Sequence, residues 1–161
     1  MPVDTPSPLP SVFVVETGAG KFQAQVDAPG GRFLADEPRD VGGLGSGPGP
    51  FDLLSAALGA CTSMTCRLYA DQKGWPLKRV AVQVQHVAKT ATAKDRFTRQ
   101  ISFEGELDPA QRQRLLEIAE RCPVHRTLTA GSDVVTLLLD ADAAAAFDDH
   151  FAQMQQTCAE G

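Results

Sequence analysis

A chain of 161 residues, 43% hydrophobic and 22% charged, has the make-up of one globular domain that buries a core without metal or disulfide staples. Its formal net charge of −5 argues against a general binder of nucleic acid or of anionic membrane, since each favours a basic surface. The longest uncharged run, around Ala57, is too short to span a bilayer, so no membrane partner is expected.

The first eleven residues, MPVDTPSPLPS, lack the basic and apolar regions of a secretory signal. They read as a loose N-terminal arm (1–11) on a single domain spanning 1–161. Residues 11–26, SVFVVETGAGKFQAQV, give two strand-like runs about Thr17–Gly20, a hairpin signal. A second turn, Ala28-Pro29-Gly30-Gly31, leads into RFLAD, a predicted third strand. VGGLGSGPGP (41–50), with five glycines and two prolines, is a loop that delivers the chain to a helix.

That helix is predicted from Pro50 or Phe51, with proline in its first turn, to Lys73-Gly74, where glycine caps it and Pro76 forbids continuation. Phe51, Leu54, Leu58, Cys61, Thr65 and Leu68 share one face, while Ala56, Ala57, Gly59 and Ala60 keep the others small. A helix apolar nearly all round must be covered on all sides, which points to a wrapping sheet and a second subunit. RVAVQVQHV (79–87) and RQISFEGEL (99–107) alternate as half-buried strands, joined by the polar KTATAKDRFT. Asp108 is the predicted N-cap of a second helix with Leu115, Leu116, Ile118 and Ala119 inward, stopping at Cys122-Pro123. VVTLLL (134–139) is a predicted last strand, and the tail from Asp140 reads as helical. The order is βββ–α–ββ–α–β–α, an α+β fold.

The four cysteines are at 61, 66, 122 and 158. In a cytoplasmic protein, the expected location, thiols stay reduced, so they are not a disulfide scaffold. Cys61 and Cys66 lie five apart on one helix, about 140° round its axis, and cannot pair with each other. Each is either a small buried hydrophobe or a working thiol with a partner elsewhere. Cys122 closes the second helix before a proline able to open a short turn. It is either an ordinary turn cysteine or, at a helix N-cap, a thiol favoured as thiolate by unsatisfied N–H groups, with Arg121 and Arg126 adding positive charge. Cys122-x-x-His125 has metal-ligand spacing, but the Cys61/Cys66 pair suits tetrahedral geometry poorly, so no metal is expected. His86 and His150 read as packing or surface residues, and Cys158 as incidental. The glycine-rich loop lacks the Lys-Ser/Thr ending of a phosphate loop, and no GxSxG elbow occurs; no cofactor is expected.

The stretch DEPRDVGGLGSGPGPFDLLSAALGACTSMTCRLYADQKGWPL, followed later by QRQRLLEIAERCPVHRTL, resembles the OsmC/Ohr family of osmotically inducible and organic-hydroperoxide-resistance proteins. The likeness runs from about Phe22 to Leu138. It implies an OsmC-like fold, an intertwined homodimer whose sheets wrap two central helices. It also implies a thiol-dependent peroxidase: Cys61 as the peroxidatic thiol, Cys122 as the resolving thiol, an organic hydroperoxide as substrate and a dithiol as reductant. The alternative is a non-catalytic protein that binds a hydrophobic ligand or a partner in the dimer-interface cavity. Where the resemblance implies a glutamate ten residues before Cys61, this chain has Phe51. Asp52 and Glu37 are the candidate orienting carboxylates, and Lys21 and Arg32 the nearest cations of the N-terminal strands.

Overall fold

The computed structural model describes residues 11–138. The chain divides into two compact units, residues 1–130 and 131–161. In the first, β1 (Phe13–Glu16), β2 (Ala24–Ala28) and β3 (Gly31–Ala35) form an antiparallel sheet in sequence order. A 3-10 turn at Arg39–Val41 and a glycine-rich loop lead to α1 (Pro50–Gln72). The hairpin β4 (Leu77–Val87) and β5 (Arg96–Gly105) follows, then α2 (Pro109–Ala119) and α3 (Pro123–Ala130).

The loop before α1 is held by one carboxylate. Asp36, 2% exposed, accepts hydrogen bonds from the N–H groups of Glu37 (2.8 Å), Leu44 (3.0 Å) and Ser46 (3.1 Å), and from the Ser46 hydroxyl (2.7 Å). The chain passes so close to β3 that a Cβ on Gly47 would lie 1.9 Å from the Leu34 carbonyl oxygen, so only glycine fits there. Burial alone would raise the Asp36 carboxyl, but the Ser46, Glu37 and Leu44 hydrogen bonds outweigh it and hold the group below the usual carboxylate range. The unfolded chain therefore takes up this proton at a higher pH than the fold does. The stabilisation is complete above about pH 4 and is lost as pH falls through the folded-state value. Melting Asp36→Asn beside the unchanged chain should show a Tm gap at pH 7 that narrows below about pH 4; a gap independent of pH would contradict this account.

Pro50 sits in the first turn of α1 and Asp52 completes its start, accepting from the Gly49 N–H at 2.9 Å. At the other end Lys73 is the C-cap and Gly74 adopts φ +64°, the left-handed conformation that ends a helix. Arg67 reaches across to the carbonyls of Leu77 (2.6 Å) and Lys78 (3.0 Å), tying α1 to the start of β4. The core gathers Cys66 and Ala70 of α1, Leu77, Phe103, Leu107, Leu115 and Ala119. Tyr69 and Trp75 pack against it, ring centroids 5.5 Å apart and edge to face.

The buried stripe of α1 is Leu58, Thr62, Cys66 and Ala70; of the row that shares one face in the sequence, Leu58 is buried while Phe51, Leu54 and Leu68 lie on the open side. Small side chains let α1 approach its neighbours closely, which the larger ones would prevent. Leu116 is 42% exposed, one step round from the buried Leu115. The proline that stops α2 also opens an eight-residue α3, because its fixed φ suits a first helical position. Residues 131–138 carry neither helix nor strand, so the expected strand at VVTLLL is not found over 134–138. Its β-branched residues supply propensity, but a strand exists only within a ladder. The predicted tail helix from Asp140, His150, Cys158 and most of the 1–11 arm lie outside the described residues.

Candidate thiol site

Adjacent positions on a helix point about 100° apart, and this separates the thiol environments on α1. Cys61, half-buried, opens on an apolar cavity of about 380 Å³ with Ala57, Ala60, Met64, Leu68 and Pro123 in its wall. Thr62 and Cys66, on the next face, are fully buried. Cys122, also fully buried, caps α3: its carbonyl accepts from the Arg126 N–H at 3.1 Å and its Sγ from the His125 N–H at 3.3 Å. The sequence expectation of a helix-capping thiol is thus met, with the sulfur itself as acceptor.

A second group converges on this sulfur. Thr62 Oγ1 lies 3.7 Å from Cys122 Sγ, and the Thr62 hydroxyl is also 2.7 Å from the Leu58 carbonyl. Arg99 of β5 donates to Thr62 Oγ1 (2.7 Å) and the Ala119 carbonyl (3.1 Å) through Nη1, and to Glu120 Oε1 (2.8 Å) through Nη2. Glu120 Oε2 in turn lies 3.3 Å from His125 Nε2. The Arg99 side chain is only 8% exposed. Sequence reasoning missed this arginine, though the signal was there. In FTRQISF, Arg99 falls in register with Phe97, Ile101 and Phe103, the inward-facing positions of β5. A charge in that register needs buried partners, and it has them.

Cys66 is a different kind of thiol. Burial pushes it up to about 11, the charge of Arg99 opposing and the Cys122 thiol adding to the rise. It stays protonated at neutral pH and donates weakly to the Leu115 carbonyl at 3.6 Å, a packing role between α1 and α2.

The candidate carboxylates are engaged elsewhere. Asp52 caps α1 and stands nine residues before Cys61, about 14 Å along the axis at 1.5 Å per residue. Glu37 lies in the loop before α1, where its backbone N–H is bonded to Asp36 and its backbone carbonyl accepts from Gly45, and its carboxylate stands beside Gly49 at the start of α1 rather than at Cys61. Phe51 stacks on His86 with centroids 4.1 Å apart, and His86 Nε2 meets Asp95 at 2.8 Å. Arg32 pairs with Asp27, and Lys21 lies over the Phe22 ring at 4.7 Å. Among the described residues no cluster of three His, Cys, Asp or Glu side chains could hold a metal ion. Nor is any described helix long and apolar enough to cross a membrane.

The family model for OsmC-like protein matches residues 43–137, which takes in both Cys61 and Cys122. No curated protein sequence matches this chain significantly. Similar solved structures include an osmotic stress induced and detoxification response protein from Psychrobacter arcticus, 21% identical over 75% of this chain and 89% of that one, TM-score 0.64. An OsmC-like protein from Mycoplasma pneumoniae is 18% identical over 74% of this chain and 86% of that one, TM-score 0.63. An organic hydroperoxide resistance protein from Vibrio cholerae, with captopril in one active site, is 17% identical over 81% and 92% of the two chains, TM-score 0.58.

Proposed function

The chain belongs to the OsmC-like protein family, and on that premise we propose that it reduces organic hydroperoxides with Cys61 as attacking thiol and Cys122 as resolving thiol. The Cys61 thiolate attacks the outer oxygen of R–O–OH; the O–O bond breaks, the alkoxide leaves and takes a proton from water to become the alcohol, and Cys61 becomes a sulfenic acid. The Cys122 thiol condenses with it, expelling water and forming a disulfide. A cytoplasmic dithiol then returns both to thiols by exchange. The observation that carries this reading is the Cys61 cavity: apolar, open, and walled by the residue that follows Cys122. Such a wall favours a substrate with a hydrocarbon group over hydrogen peroxide. The name of the Vibrio cholerae relative fits the same chemistry.

A homodimer is part of the proposal. Phe22, just before β2, and Phe33 of β3 are part-exposed and leave an apolar face that a second copy would cover. A second reading, binding of a hydrophobic ligand without turnover, is favoured by the apolar cavity of about 540 Å³ on β1–β3, lined by Val14, Phe22, Val26 and Phe33.

Titrating the protein with cumene hydroperoxide and with hydrogen peroxide, then mapping the oxidised peptides by mass spectrometry, decides between them. The expected product is a Cys61–Cys122 disulfide, formed faster with the organic oxidant. Thiols that survive treatment, together with a lipid-like molecule carried through purification, would favour the binding reading.

A further inference from the structure

We propose that Arg99, acting through Thr62, is a positioning residue that receives the Cys122 sulfur as the leaving group during reduction, so that the dithiol attacks Cys61. This rests on the peroxidase reading and adds the direction of its return step.

In thiol–disulfide exchange the incoming thiolate attacks one sulfur and the electron pair of the broken bond goes to the other. Which sulfur leaves depends on access to the one attacked and on what stabilises the one expelled. The two sulfurs of the proposed disulfide differ on both counts. Cys61 lines an open cavity, whereas Cys122 in the reduced chain is fully buried between α1 and α3. The Cys122 site is also furnished for a negative sulfur. The His125 N–H points at it from 3.3 Å, and the Thr62 hydroxyl lies 3.7 Å away.

Arg99 makes Thr62 usable as a donor. Its Nη1 occupies a lone pair of Thr62 Oγ1 at 2.7 Å, so the hydroxyl proton is left to serve either the Leu58 carbonyl or the sulfur. With Cys122 as a neutral thiol, the proton goes to Leu58 and the S–H can donate to Oγ1. With Cys122 as a departing thiolate, the hydroxyl turns to the sulfur. The buried guanidinium behind it, fixed by the Ala119 carbonyl and Glu120, supplies the positive field. The step balances. The first dithiol sulfur bonds to Cys61 as the S–S bond breaks towards Cys122, and the second then displaces Cys61 as a cyclic disulfide leaves. Two electrons and two protons pass from the dithiol to the protein thiols.

The test isolates the oxidised protein and finds where thiol adds. The unchanged chain, Thr62→Val, Thr62→Ser and Arg99→Gln are oxidised with cumene hydroperoxide. They are then reduced with dithiothreitol in stopped flow, or quenched with acid after brief exposure to 2-mercaptoethanol and mapped. The mixed disulfide should sit on Cys61 over Cys122 by roughly ten to one or more. Thr62→Val and Arg99→Gln should slow reduction about tenfold, more than they slow oxidation of Cys61, and Thr62→Ser should restore the rate. A mixed disulfide on Cys122, or equal reduction rates for Thr62→Val and Thr62→Ser, overturns the inference. If hydroperoxide yields no disulfide but diamide does, the peroxidase reading fails alone, and the site of thiol attack is read on the diamide product. No disulfide with either oxidant overturns both.

Discussion

Replacing Cys61 with serine is expected to lower organic-hydroperoxide turnover by roughly a thousandfold or more, because a serine hydroxyl at neutral pH offers almost no anion and a far weaker nucleophile than a thiolate. Cys122→Ser is expected to act differently. It leaves the first oxidation of Cys61 in place but stops the disulfide, so Cys61 accumulates as sulfenic acid or passes on to irreversible acids. Cys66→Ala should keep turnover within about twofold, since a thiol held protonated in the core has no part in exchange. The three variants are compared by following hydroperoxide loss with a dithiol present and by trapping sulfenic acid with dimedone. Full turnover in Cys61→Ser would remove the peroxidase proposal, whereas loss in Cys66→Ala alone would move the chemistry to the buried face of α1.

Leu115→Ala is expected to cost about 3 to 4 kcal/mol of folding stability. Leu115 is 0% exposed, sits within the cluster of Cys66, Ala70, Phe103 and Ala119, and contributes the carbonyl that the Cys66 thiol approaches. Truncation removes buried methyl groups from the middle of this cluster, and whatever void the neighbours do not fill adds to the cost. For a chain of this length the corresponding fall in Tm is on the order of 10 °C. Leu116→Ala, one residue on, should cost less than about 1 kcal/mol because that side chain is already half in water. Urea denaturation of the two variants measures the difference. Equal losses would mean that α2 is rotated from the orientation described.

The contrast between these neighbours shows what could be read in advance. The ends of α1 were legible because Pro50 and Gly74 act locally, through fixed φ and through the left-handed cap. The alternation in β4 was legible because successive side chains of a strand point to opposite faces, one covered and one in water. The inward face of α1 was not. Burial there follows the size that fits against α2 and the sheet, and Thr62 and Cys66 fit where Leu68 does not. Cys61 and Cys122 could be singled out from motifs, but Arg99 needed the fold. Its partners Ala119 and Glu120 stand some twenty residues away in sequence, and only the fold brings the end of α2 to β5. The segment 134–138 failed in the opposite way, with strong local preference but no strand among the described residues.

Trp75, packed edge-on to Tyr69 where α1 turns into β4, is the only tryptophan of the chain. Its emission is therefore a single-site optical reporter of the α1–α2–β4 seam, silent about the sheet of β1–β3. Far-ultraviolet dichroism, by contrast, sums over every helix and strand. Overlaying the two signals during unfolding asks whether the N-terminal sheet melts with the seam or ahead of it, and coincident curves would mark one cooperative unit.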